Sequence, residues 1–283
     1  MFELRLENSS GSVVNINDGK RFSVIGISGL NPPSASIFTS KSPNRKGARK
    51  NGSTLNERII VVSVKLLGDI EANRNALYSW VDPEEEVKIY YRNSTKNVYC
   101  EGTVSDCDID FFTDNEVVGV SILCPDPFLK DVEEIVADIS ALLKQFTFPF
   151  AIDSAGIPFS TIRGSNNTGI FNAGAETGVK ITITCRAEVK NIRIYDATDT
   201  TREFKINGTI PAGWVITIDT DGSPKTCKAK KPDGSTVNLF NRISQNPTWF
   251  TLKRGNNSFG YTAESGLTDT EVTFSFSNKY LGV

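Results

Sequence analysis

Histidine is absent from all 283 residues. Its absence removes the usual general base at neutral pH and the commonest metal ligand. A Ser-His or Cys-His nucleophile cannot be assembled. Disulfide and zinc frameworks are equally unsupported. The five cysteines, Cys100, Cys107, Cys124, Cys185 and Cys227, include no Cys-x-x-Cys pair and are odd in number. They read as buried free thiols of a reducing compartment. No apolar run approaches the ~18 residues of a membrane span. Net charge is only −2, so nothing global draws the chain to nucleic acid or an acidic membrane. The start, Met1 to Leu6, alternates and carries charge, which reads as a strand and not a signal peptide. There is no internal repeat and no low-complexity tract.

What the chain has is β-pattern. Hydrophobic residues make up 39%, enough for real cores, and the length suggests about two domains. In the first half, Val13 to Ile16 leads through the tight-turn pair Asp18-Gly19 to Phe22–Ile25. Arg58 to Leu67 is rich in Ile and Val and predicts a well-buried strand. Asp69 caps a predicted helix from Ile70 to about Val81, with Ile70, Leu77, Trp80 and Val81 on one face. Val87–Tyr91, Val98–Phe111 and Glu116–Leu123 predict further strands. A second helix is predicted from Asp131 to Phe146. Asp131 and Glu134 form a capping box, and Val132, Ile135, Val136, Ile139, Leu142, Leu143 and Phe146 recur at helical spacing. An extended connector follows to about Ser160. Beyond it, short alternating runs are punctuated by Asn207-Gly208, Asp221-Gly222 and Asp233-Gly234. That texture points to a β-sandwich or jelly roll. The expected layout is a β domain over 1–130, a helix and connector over 131–160, and a β-sandwich over 161–283.

Four constellations carry candidate function. Asp106, Asp108 and Asp110 alternate with Cys107, Ile109 and Phe111, which puts the carboxylates on one strand face. A calcium loop would need glycine at position six and glutamate at position twelve; Phe111 and Val117 stand there. The acids read as a solvated face or as the lining of an acidic channel that repels DNA phosphates. Ser40 to Arg58 is long, polar and basic, with Lys41, Arg45, Lys46, Arg49 and Lys50. It reads as a mobile solvated hairpin or as an extended arm that docks on an adjacent ring of an assembly. No aromatic residue interleaves its charges for base stacking. Trp214 and Trp249 are either core packing or platforms for a sugar ring. Gly164 to Gly169 lacks the Lys-Ser/Thr of a phosphate loop and reads as an ordinary loop.

Several short motifs resemble the distal tail proteins of long-tailed bacteriophages. These are Gly29-Leu30-Asn31-Pro32-Pro33, Arg58-Ile59-Ile60-Val61, Cys124-Pro125-Asp126-Pro127-Phe128, Ile218-Asp219-Thr220, Gly255-Asn256-Asn257 and the terminal Tyr280-Leu281-Gly282-Val283. Two positions depart from the pattern. Gly213-Trp214 stands where Gly-Asp is frequent, and Lys253-Arg254 precedes Gly255 where proline is common. The resemblance implies a mainly β protein: a tail-tube-like ring-forming domain with an embedded helix, a connecting helix, and a galectin-like β-sandwich. It implies a non-enzymatic virion structural protein of a phage or prophage, assembled in the host cytoplasm. Its copies would form a hexameric ring joining the tail tube protein to the baseplate or tip. The ring would dock tip or receptor-binding proteins and pass DNA without specific binding. No cofactor, metal or membrane is implied. The alternative is a carbohydrate-binding module acting in host attachment.

Overall fold

Alternation of apolar and polar side chains dictates most of what forms, because successive residues of a strand face opposite sides of the sheet. The computed structural model describes residues 2–43, 46–109, 116–139, 142–144, 160–162 and 168–283. The chain divides into two units, Met1–Val132 with Lys279–Val283, and Glu133–Asn278.

The first unit contains β1 (Glu3–Glu7), β2 (Val13–Asn15), β3 (Phe22–Ser28), β4 (Ala35–Ser40), β5 (Arg49–Leu55) and β6 (Arg58–Leu66). After α1 (Ile70–Tyr78) come β7 (Glu86–Arg92), β8 (Asn97–Ile109), β9 (Val117–Cys124) and β10 (Leu129–Asp131). The main sheet runs β2-β1-β7-β8-β9-β6-β3, and every neighbouring pair is antiparallel. Leu4 and Leu6 at one end of this path share a core with Phe22 and Val62 at the other, so the sheet curls over its own apolar face. Asp69 accepts a hydrogen bond from the Ala72 amide at 3.1 Å and caps α1, as its position predicts. The helix stops at Tyr78, and tighter turns carry the chain to Val81. Leu77 and Val81 are buried, and Ile70 and Trp80 pack beside them.

The second unit contains β11 (Ile135–Asp138), β12 (Leu142–Lys144), β13 (Ser160–Ile162), β14 (Thr168–Asn172), β15 (Thr177–Gly178), β16 (Lys180–Cys185), β17 (Val189–Asp196) and β18 (Glu203–Ile210). It continues with β19 (Val215–Asp219), β20 (Thr226–Lys230), β21 (Thr236–Asn238), β22 (Thr251–Leu252), β23 (Gly255–Thr262) and β24 (Thr270–Phe276). One sheet runs β11-β24-β16-β19-β20-β21 and another β14-β23-β17-β18. Ile181, Ile216 and Phe274 of the first share a core with Ile194, Phe204 and Tyr261 of the second, which makes a β-sandwich. The chain then returns to the first unit as β25 (Lys279–Tyr280), antiparallel to β10.

Among the described residues, the segment expected to form a helix from Asp131 contains no helix. Residues 129–131 and 135–138 are strands, and β11 pairs with β24 in the register Ile135↔Phe276 to Asp138↔Thr273. The helical stripe is not buried as one face. Ile139 is fully buried, whereas Val136 is 64% exposed and Val132 and Ile135 are also exposed. The β-branched Ile135 and Val136 suit an edge strand whose partner supplies the hydrogen bonds. Leu142 and Leu143 lie on β12. Phe146 and the connector before Ser160 fall outside the described residues.

Candidate assembly surface

The β4–β5 hairpin is built unlike the rest of the first unit. Its strands pair only with each other. It begins at Ala35, earlier than the basic segment read from the sequence, and nearly every residue in it is exposed. Ile37 is 61% exposed and Phe38 is 56% exposed. Adjacent strand residues point to opposite faces, so both faces of the ribbon carry an uncovered apolar side chain. Lys41, Lys46, Arg49 and Lys50 are exposed along its tip, while Arg45 lies outside the described residues. Asn56 fixes the base through Ser36 (2.7 Å) and Ser34 (3.0 Å). Nearby in sequence, Ile25 on the edge strand β3 and Ile59 on β6 are also more than half exposed.

The acidic stretch sits at the end of β8. Asp106 and Asp108 are exposed, and Cys107 and Ile109, which alternate with them, pack against the core. A bulge between Val104 and Asp106 shifts the register just before them. Asp110 lies outside the described residues. Among the described residues, no group of three or more carboxylates or cysteines is placed to hold a metal ion.

Sequence reading missed the feature that organises this unit. Arg58 is 2% exposed, and its guanidinium faces backbone carbonyls. It donates to Pro127 O at 2.8 Å, Asn31 O at 2.9 Å, Leu281 O at 2.7 Å, and also to Gly29 O. Burial pulls its pKa down, opposed by Cys100, Cys124 and Asp126. Four motifs scattered from residue 29 to residue 281 are thus gathered by one side chain. Gly29 has φ +86°, and a Cβ there would lie 2.0 Å from Ile59 O, so only glycine fits. Beside this knot, the Cys100 thiol donates to Asp126 O at 3.7 Å, and the interaction of Cys100 with Cys124, ahead of burial, pushes Cys124 up and Cys100 down. All five cysteines are free, and all but Cys107 are buried. An arginine heading an Ile- and Val-rich strand was the available signal, because a charge is rarely buried without partners.

In the second unit, Trp214 and Trp249 are partly buried side chains that pack against the sandwich core. Trp249 packs edge-on against Phe204 (5.1 Å) and beside Phe240 (5.7 Å), with Lys225 over its ring. Trp214 is half-buried against the core, with Lys231 over its ring. A cleft of about 230 Å³ lies elsewhere, lined by the β17–β18 connection, Lys253, Arg254 and the start of β23.

Residues 172–280 match the family of siphovirus-type tail components, C-terminal domain. Residues 9–124 match the RIFT-related domain of phage tail proteins. The fold is similar to the crystal structure of the Dit protein of phage SPP1, described as a paradigm of the hub adsorption apparatus in phages infecting Gram-positive hosts. The TM-score is 0.71 at 13% identity, over 98% of this chain and 99% of that one. It is also similar to a chain of the phage P2 baseplate in its activated conformation with calcium, with a TM-score of 0.53 and 12% identity over the full length of both. At such identities the likeness is one of fold. No curated protein matches the chain by sequence.

Proposed function

Because the chain belongs to the siphovirus-type tail components, we propose that its copies close into a hexameric ring at the end of a phage or prophage tail tube. The ring joins the tube protein to the baseplate or tip and is assembled in the host cytoplasm before incorporation into the virion tail. The exposed β4–β5 hairpin carries this reading. A two-stranded ribbon is marginal in water by itself, and this one leaves Ile37 and Phe38 uncovered. Such a ribbon gains its stability by docking, and its Lys41, Lys46, Arg49 and Lys50 suit an acidic surface on a neighbouring copy. Asp106 and Asp108, exposed at the end of β8, suit a lumen that passes DNA without holding it. The sandwich unit serves as the docking surface for tip or receptor-binding proteins. The role is structural, and no catalytic step is assigned.

The test is mass measurement by light scattering and native mass spectrometry. The intact chain, 31.0 kDa, is expected to run as a six-copy species, alone or with a tube or tip partner. Each stable contact buries at least ~1,000 Å² in total. Deleting residues 41–52, or introducing Ile37→Asp with Phe38→Asp, is expected to weaken that species. Single subunits at high concentration and in authentic particles would overturn the ring.

A further inference from the structure

We infer that the cleft beside Lys253 and Arg254 binds a phosphate ester carried on a polyhydroxyl group such as a sugar. This site stands on the second unit alone and is independent of ring formation.

The cleft is electropositive by construction. Arg202, Lys253 and Arg254 line it with a single carboxylate, Asp196. That carboxylate is already engaged. Its Oδ2 takes Arg202 Nη1 at 2.9 Å, and its Oδ1 takes the Thr198 amide at 2.9 Å and hydroxyl at 2.6 Å. Asp196 therefore orients Arg202 and leaves Lys253 and Arg254 uncompensated. Both of these side chains are exposed at the cleft. A lysine point charge beside a planar guanidinium fork suits the several acceptor oxygens of a phosphate.

The walls are held in place before any ligand arrives. Asn257 braces the turn that presents the two cations: its Oδ1 accepts from the Lys253 amide at 2.9 Å, and its Nδ2 donates to Lys253 O at 2.8 Å and Gly255 O at 3.1 Å. The opposite rim is tied to β23 by Ala197 N to Ser258 O at 2.8 Å. Little ordering is left for a ligand to impose.

The carrier is read from the rest of the lining. Asn256 and Ser258 line the cleft and offer an amide and a hydroxyl to a carrier's hydroxyls. Phe171 on β14 lies directly opposite Asn256 in the ladder and is 62% exposed. Residues opposite each other share a sheet face, so an apolar ring stands beside the polar cleft, as a sugar's C–H face requires. The volume is below the ~300–1,000 Å³ of sites that enclose drug-sized ligands. It fits a headgroup of a longer molecule.

The experiment is calorimetric titration of the full chain at low salt with glucose 6-phosphate, glucose and inorganic phosphate. Saturable binding of glucose 6-phosphate, tighter than that of either control, is expected. Lys253→Gln with Arg254→Gln should weaken it at least tenfold, and Phe171→Ala should weaken it severalfold while leaving inorganic phosphate unchanged. All three side chains are exposed, so the variants should keep the unfolding profile of the intact protein. The inference is overturned if glucose 6-phosphate does not saturate, if glucose or free phosphate binds as well, or if the Lys253/Arg254 variant binds undiminished. Equal displacement by a short DNA duplex would overturn it too, by reducing the site to a generic polyanion patch.

Discussion

Arg58 illustrates how one residue can set the boundary of a folding unit. Its guanidinium satisfies carbonyls of the 29–31 turn, the proline-flanked exit and the chain end. Arg58→Met would keep the apolar stem and remove every donor, and an orphaned buried acceptor costs about 1–3 kcal/mol. A loss of at least ~3 kcal/mol is therefore expected, read as a lower urea midpoint of the first unit. Tyr90 gives a second measurable signature. Its hydroxyl donates to Glu7 Oε2 at 2.6 Å, and burial, followed by that carboxylate, pushes its pKa up to about 12. The folded protein holds this proton more tightly than the unfolded chain, whose phenol titrates near 10. The contribution is intact below about pH 10 and is lost as pH rises toward 12. Absorbance titration should show a late phenol that Tyr90→Phe abolishes.

At the scale of elements, the first predicted helix formed and the second did not, and the contrast is instructive. Asp69 caps a segment whose apolar face meets the sheet core. Asp131 and Glu134 mark a comparable start, but β24 offers its edge to Ile135–Asp138. Tertiary pairing overrides a local cap worth only about 1 kcal/mol. The basic hairpin is the opposite case, an element that pairs with itself and covers little. Deleting residues 41–52 should shift the unfolding free energy by no more than about 0.5 kcal/mol, as for other surface changes. Chemical denaturation of the deletion variant checks this. A larger loss would mean that the ribbon supports its own unit.

For the whole molecule, the decisive feature is the order in which the chain visits its units. The second unit is a continuous stretch, Glu133–Asn278, inserted between β10 and β25. Those two strands are antiparallel partners, with Leu129↔Tyr280 and Lys130↔Lys279 in register, so a short turn can bridge them. Replacing residues 133–278 by a short Gly-Asn turn should leave a first unit that folds cooperatively. Residues 133–278 should fold separately around their own core. Circular dichroism with thermal melts of both pieces checks this. Failure of the first piece with the bridge in place would mean that its core is not self-sufficient.

The amino-acid sequence by itself determined the β character, the positions of most strands, the capped helix and the absence of histidine chemistry. Each of these follows from local rules: side-chain alternation, turn residues and donor inventory. The alternation of Asp106 and Asp108 with Cys107 and Ile109 was readable for the same reason. Only the tertiary structure decided that residues 135–138 extend a sheet, that Arg58 joins positions more than two hundred residues apart, and that Lys253 and Arg254 stand uncompensated over a cleft. Those outcomes depend on which strand edge, carbonyl or carboxylate arrives from a distant part of the chain, and local periodicity carries no record of such arrivals.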